Sequence, residues 1–220
     1  PKSFWTAITV RGRTLVYDST RVQASELKGY EDLAHEKWAG RLCLRTGASA
    51  YNEALVGGLI EVHGLAKATE ILDGWVQNLA ADPIAGDTGV LEAIANGVCD
   101  VGITNTYYLG QMLAKNPAFP VKAHFADQNS TGVFGNGTGA GVAITSKQKD
   151  LATKFIELML SDKFQLEMSS AHFDYPAKQG LMPSTLVKDW GAFKHNDANW
   201  TTVGSRAEEA RELIKTVGYR

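Results

Sequence analysis

The sequence predicts an α/β fold, and three observations support that prediction. The chain has 220 residues, of which 44% are hydrophobic and 21% charged, an ordinary globular balance that can bury a sizeable core. Residues 99–104 form a short, mostly apolar run typical of a buried strand, and a helical pattern follows at residues 109–115. The same order of strand, turn and helix appears between residues 41 and 64. Two such repeats are typical of an α/β sheet.

The first predicted element is a strand, over residues 4–17. The segment is rich in β-branched and aromatic residues and forms one long strand or two strands joined near Gly12. Arg11 and Arg13 alternate with apolar residues in it. They are either outward charges on a half-exposed strand, or one of them reaches a binding site as the partner of an anion.

A strand over residues 41–45 leads through a small-residue turn, 46–50, into a helix that extends from Tyr51 to about Gly64. This arrangement exposes backbone N–H groups to an anion at a helix N-terminus. Ser49 is the expected N-cap. Tyr51 lies in the first turn, where it is either a packing aromatic or a member of a site.

The remaining elements follow from periodicity and turn chemistry. Asp87 either caps the helix over residues 89–95 or belongs to a site at that junction. Residues 127–141, rich in Gly and Asn, indicate a mobile loop or a domain crossover. The other predicted elements are a helix over 67–79, strands over 121–125 and 142–145, a helix over 149–168 broken at 161–162, an irregular turn over 175–180, a short mixed segment over 186–193 and a closing helix over 206–217.

Two adjacent tyrosines, Tyr107 and Tyr108, stand where the strand 99–104 gives way to its helix. In open α/β sheets, ligands bind beyond the carboxyl ends of the strands. A phenolate is a hard anionic oxygen ligand, and hard cations prefer oxygen donors. The topology therefore predicts one crevice, to which the two repeats bring a set of candidate side chains: Ser49, Tyr51, Asp87, Tyr107 and Tyr108.

Composition argues against several classes of protein. The net charge is −2, which gives no indication of a nucleic-acid surface, and no window of 18 uncharged apolar residues suggests a transmembrane helix. The sequence has no GxSxG, HExxH or P-loop pattern and no CxxC. An unperturbed phenol, with a pKa of about 10, is better suited to coordination than to proton transfer. The residues thus favour a metal-binding module over an enzyme.

The two cysteines, Cys43 and Cys99, each open a predicted strand. If the two strands are neighbours, a disulfide bond is geometrically possible, and it would imply an oxidising compartment. The alternative is a pair of buried free thiols, and the sequence leaves both open.

Several segments together resemble the periplasmic ferric-iron-binding proteins of ABC transporters, in particular the tyrosine-rich branch of that family. The similar segments lie at residues 51–55, 86–88, 99–109, 139–143, 175–180, 190–194 and 217–219. The resemblance covers essentially the whole chain, and its most specific part is the Asn-Thr-Tyr-Tyr motif ending at Tyr108, with Tyr51 upstream.

The resemblance implies a type II periplasmic binding protein, whose two α/β lobes close on the ion. Tyr107 and Tyr108 match the paired phenolate ligands of the family, and Tyr51 matches the third tyrosine of this branch. Three phenolates balance the charge of Fe(III). Three further residues match positions near a synergistic anion such as carbonate, or positions behind the ligands: Ser49, Asp87 and Asn105. Arg11 lies on the crossover strand near the site, where it would neutralise a phenolate or hold carbonate.

The resemblance also implies a domain organisation and partners. Residues 1–16 and 136–188 would form part of an N-terminal-type lobe, 17–135 a near-complete C-terminal-type lobe with the tyrosine site, and 189–220 a helical segment returning to it. The expected partners are an ABC transporter permease and a missing N-terminal segment or partner chain, in the periplasm or another extracytoplasmic space. Because the family's remaining ligands lie in that segment, we expect this chain alone to bind iron more weakly. The alternative function is a small-anion-binding protein or enzyme that uses Ser49, Asp87 and Arg11.

Overall fold

The computed structural model describes residues 5–181 and 183–220, and the chain divides into two compact units. One unit contains the residues up to Arg11 together with Gly135–Ala192, and the other contains Gly12–Phe134 and Phe193–Arg220. We call them unit 1 and unit 2. The sequence predicts changes of lobe at 16/17, 135/136 and 188/189, whereas the units change at 11/12, 134/135 and 192/193. Which lobe of the family each unit represents stays a prediction.

Strands and helices are interspersed along the chain, as in an α/β protein. The strands are β1 (Thr6–Asp18), β2 (Leu42–Cys43), β3 (Val101–Asn105), β4 (Val121–His124), β5 (Gly135–Ala140) and β6 (Tyr175–Pro176). The helices are α1 (Ala50–His63), α2 (Leu65–Gln77), α3 (Asp87–Ala95), α4 (Thr106–Lys115), α5 (Lys149–Met159), α6 (Asp162–His172), α7 (Thr185–Asp189), α8 (Trp200–Ser205) and α9 (Ala207–Thr216). Short 3-10 helices lie at Ala24–Glu26, Glu31–Ala34 and Glu36–Trp38.

Unit 2 is built around a sheet in the order β2, β3, β1, β4. β2 and β3 run parallel, whereas β1 is antiparallel to both β3 and β4, with Leu15 opposite Ile103 on one side and His124 on the other. This part of β1 is buried on both faces, which explains its β-branched and aromatic composition. Helices α1, α2, α3 and α9 each bury apolar residues, and the main hydrophobic core lies entirely in this unit.

In unit 1 the first part of β1 pairs with β5 and β6, and Thr9 faces Pro176 in the antiparallel register. Helix α5 is amphipathic in sequence but buries none of its residues, and Leu151, Phe155 and Leu158 are exposed along it. The apolar face of α5 is therefore uncovered among the described residues.

The structure confirms most predicted elements and corrects others. The first strand is continuous through Gly12, although the predicted start at residue 4 lies outside the described residues. Ser161 caps α6 after the predicted break. Residues 127–141 were predicted to be a mobile loop or a domain crossover, and a loop is wrong over Gly135–Ala140, because pairing with β1 makes that stretch a strand despite its glycines. The change of unit at 134/135 lies within the same segment. Residues 142–145 do not form the strand that was predicted for them. Helix α8 was not predicted.

Close packing at Gly74 in α2 supplies a stability prediction. A Cβ atom at this position would lie 2.6 Å from the Ala34 Cβ and 2.8 Å from the Ala34 carbonyl oxygen. We expect Gly74→Ala to lower the free energy of unfolding by about 1–3 kcal/mol through overpacking, despite the better helix propensity of alanine. Urea unfolding measures the change. Gly204→Ala in α8 is the control, because no atom lies within 4 Å of its added Cβ; equal effects in the two variants would contradict the prediction.

Candidate metal centre

Three tyrosines from two helix N-termini meet in unit 2. Tyr107 and Tyr108 lie in the first turn of α4, directly after β3, and Tyr51 lies in the first turn of α1. The hydroxyl oxygens of Tyr51 and Tyr107 are 3.3 Å apart, and the ring centroids of Tyr107 and Tyr108 are 4.1 Å apart. The structure therefore brings together the three predicted phenolic ligands.

Local sequence explains how the two helix ends present these rings. The Ser49 hydroxyl accepts a hydrogen bond from the Tyr51 backbone N–H at 3.3 Å, so Ser49 is the N-cap of α1 as predicted. Asn105 is the N-cap residue of α4 by position, at the end of a fully buried strand. Because β3 is held by both of its neighbours in the sheet, the turn that follows it has a fixed position.

The environment of Tyr107 perturbs its phenol. Burial raises its pKa well above the ordinary value, and hydrogen bonding to Tyr108 and Tyr51 raises it further. The hydroxyl is therefore protonated at neutral pH in the metal-free protein. A cation that binds there must displace the proton, and a trivalent metal does so because it stabilises the phenolate strongly.

A buried polar cluster connects the elements that carry the tyrosines. Arg13 is 1% exposed, and its Nη1 lies 3.0 Å from Oδ2 of the fully buried Asp87. Its Nε and Nη2 donate to the side-chain oxygen of Asn52, at 3.0 and 2.6 Å. Oδ2 of Asp87 also accepts the backbone N–H of Asn105 at 2.8 Å. The cluster ties β1, α1, α3 and the end of β3 together.

Arg45 and Tyr219 complete this cluster. The Tyr219 hydroxyl donates to the Arg45 carbonyl at 2.6 Å and accepts from the Asn52 amide at 2.7 Å. The guanidinium carbon of Arg45 lies 5.2 Å from the centroid of the Tyr51 ring, and that of Arg13 lies 5.9 Å from it. Both guanidinium groups therefore stand against the face of one candidate ligand.

The structure separates the other predicted site residues into different roles. Asp87 is in the first turn of α3 and forms an ion pair with Arg13, so the interpretation of its side chain as a helix cap is wrong. Arg11 belongs to unit 1, where it contacts the side chains of Asn136, Thr138 and Asp174. Its predicted role beside an anion stays a prediction.

Sequence analysis missed Arg45, Asn52 and Tyr219 and did not assign Arg13. The available signal for Arg13 was its place just before the apolar residues 15–17 of the predicted strand, since an arginine buried there requires a partner. Arg45 and Asn52 flank the turn 46–50, which the sequence did mark as a site. Tyr219 lies far from them in sequence, and nothing local indicated its contact.

Alternative metal ligands are scarce. Among residues 5–181 and 183–220, no group of three or more His, Cys, Asp or Glu side chains is placed to hold a metal ion. Cys43 and Cys99 form a disulfide bond, which resolves the question that the sequence left open. Within the same described residues, no helix is both long enough and apolar enough to cross a membrane.

A family model described as bacterial extracellular solute-binding protein matches residues 1–194. The chain belongs to the bacterial extracellular solute-binding protein family. Iron uptake protein A1 of Synechocystis sp. is 30% identical over 226 residues, which cover 100% of this chain and 63% of the relative. The major ferric iron-binding protein of Neisseria meningitidis serogroup B is 25% identical over 222 residues, which cover 100% and 66%. The chain thus spans just under two thirds of the length of these curated relatives.

Solved structures of solute-binding proteins agree with the fold. A Trichodesmium protein in complex with iron and citrate superposes with a TM-score of 0.96 at 33% identity, covering 100% of this chain and 72% of that one. The ferric binding protein from Campylobacter jejuni gives 0.90 at 30% identity, covering 98% and 71%. These matches confirm the predicted fold class and family. The names of these relatives are those of iron-binding and iron-uptake proteins and not of enzymes, as the sequence predicted.

Proposed function

We propose that this chain binds ferric iron through the phenolates of Tyr51, Tyr107 and Tyr108 and serves an ABC importer as its extracytoplasmic binding component. The observation that carries the proposal is the convergence of three tyrosines from two helix N-termini, with two hydroxyls 3.3 Å apart. Three phenolates offer hard oxygen ligands with a total charge that matches Fe(III). The relatives named for ferric iron support the same cargo.

The rest of the coordination sphere comes from elsewhere. Three phenolates leave further positions around a ferric ion, which water, carbonate, citrate or another polypeptide segment would fill. A periplasmic or other extracytoplasmic location fits the family and the disulfide bond, since disulfides persist in oxidising compartments. The alternative function as a small-anion site draws less support, because the Asp87 carboxylate already pairs with Arg13 and Ser49 caps α1.

A visible spectrum tests the proposal. We expect Fe(III), added as a weak chelate, to give a tyrosinate-to-iron charge-transfer band in the wild-type chain. Tyr107→Phe and Tyr108→Phe remove one ligand each, so each should reduce the band and weaken iron affinity more than tenfold, roughly the minimum loss expected from disturbing a metal site. Binding should also weaken as the pH falls, because the phenols must lose protons.

The matched control is Tyr17→Phe, which changes a buried tyrosine of β1 in the same unit. Its band should equal that of the wild type. A band that survives unchanged in both Tyr107→Phe and Tyr108→Phe would show that iron binds elsewhere. If the wild type shows no band, the proposal that this chain binds ferric iron through these phenolates is wrong.

A further inference from the structure

Arg45 has an unusual environment for a guanidinium group at the edge of a buried cluster. It lies between β2 and α1, and its side chain is 20% exposed. Its Nε and Nη1 atoms are buried without a hydrogen-bond partner, and Nη1 stands 3.6 Å from Oδ1 of Asp87. Arg13, by contrast, makes three side-chain hydrogen bonds, to Asn52 and Asp87.

Such an arrangement costs free energy in the metal-free chain. A buried N–H group without an acceptor loses its hydration and receives nothing in exchange, and the penalty is larger for a charged group. Besides the long ion pair with Asp87, Arg45 contacts the ring of Tyr51, with its guanidinium carbon 5.2 Å from the ring centroid. A neutral ring returns only a modest cation–π attraction. A phenolate in the same place would form a full charge pair.

The net charge of the cluster also favours a negative charge on Tyr51. Arg13 and Arg45 face the single carboxylate of Asp87, so these three groups together carry one positive charge in excess. That excess lies beside Tyr51, whose hydroxyl is 3.3 Å from that of Tyr107. The surplus would be balanced by negative charge formed on Tyr51 itself.

We propose that Arg45 is a positioning residue of the iron site, which holds its positive charge against the Tyr51 phenolate. The inference rests on the proposed function, because the phenolate forms only when the metal binds. It assigns a role to a residue that the sequence analysis did not connect with the site. Arg45 acts on the metal through Tyr51 and supplies no ligand atom.

The energy of the charge-transfer band reports this contact. The transition moves an electron from phenolate to iron, and a positive charge closer to the phenolate than to the metal makes that move harder. Arg45→Met removes the charge, so we expect the band to move to longer wavelength. The expected shift is roughly 10 nm, the order of magnitude for one charge near one of three phenolates in a medium of intermediate dielectric constant. Arg45→Gln should give the same shift, whereas Arg45→Lys, which keeps the charge, should give a smaller one.

Arg41→Met is the matched control. The Arg41 guanidinium carbon lies 5.0 Å from the centroid of the Trp38 ring, which resembles the contact of Arg45 with Tyr51, but Trp38 is not a candidate ligand. Its band should stay at the wild-type wavelength. If Arg45 only supported the structure, its replacement would lower the intensity of the band without changing its wavelength. An unchanged wavelength in both Arg45→Met and Arg45→Gln therefore overturns the inference. The proposed function would still stand in that case, because it depends on the band of the wild type. A missing wild-type band overturns both. Circular dichroism shows whether each variant folds. If Arg45→Met or Arg45→Gln fails to fold, the band of the other variant tests the inference.

Discussion

Replacing Arg13 with methionine is expected to lower the free energy of unfolding by about 3–5 kcal/mol, the cost of breaking a buried ion pair by removing one partner. The Asp87 carboxylate is 0% exposed and would keep the Asn105 backbone N–H and, at 3.6 Å, Nη1 of Arg45, but it would lose its 3.0 Å contact with Nη1 of Arg13. Asn52 would also lose both guanidinium donors. Urea unfolding of the metal-free chain measures the loss, with the unfolding slope compared to confirm that the same surface is exposed.

Arg211→Met provides the control for this prediction. Arg211 pairs with Glu53 in the same unit at 3.3 Å, but its side chain is 53% exposed, so the expected change is within about 1 kcal/mol. Equal losses in Arg13→Met and Arg211→Met would mean that the buried pair contributes no more than a surface pair.

The placement of the tyrosines was predictable from sequence because it depends on local order. A buried strand that ends in polar residues and turns into a helix puts the next side chains at the sheet edge. Tyr107 follows β3 directly, and Tyr51 follows β2 after a short turn. The cap at Ser49 follows from local chemistry in the same way. Each of these inferences needs only a short window of sequence.

The arginines were not predictable in this way because their roles are decided by distant residues. Arg11 and Arg13 are two positions apart in one strand, and alternation alone treats them alike. The structure separates them by what faces them: Arg13 meets Asn52 and Asp87 in unit 2, whereas Arg11 meets Asp174 in unit 1. Sequence analysis named Arg11 as a site residue and left Arg13 unassigned, because neither partner is local.

Strand β5 shows a second limit of local reasoning. Its sequence contains three glycines and no β-branched aliphatic residue, so propensity predicts a loop. Pairing with β1 overrides that preference. At Gly139 a Cβ atom would lie 3.1 Å from the Trp5 ring, so the small residue that argued against a strand also lets the indole approach.

The second large effect is expected from the disulfide bond. Cys43 and Cys99 are separated by 56 residues, and the bond between them limits the freedom of the unfolded chain over that whole segment. Replacing both with alanine should lower the free energy of unfolding by about 4 kcal/mol, the loss that chain entropy gives for a loop of this length. Thermal and urea unfolding of the double variant measure the change.

Chemical reduction separates this entropic effect from a packing effect. Both cysteines are nearly inaccessible, at 1% and 2% exposure, so a reductant should act on the wild type only as fast as unit 2 opens. After reduction the wild type should approach the stability of the double alanine variant, and the same reductant should leave that variant unchanged. If the alanine variant is far less stable than the reduced wild type, the loss comes from emptied core volume and not from the missing cross-link. Agreement between the two would show that the loss comes from the missing cross-link and not from emptied core volume.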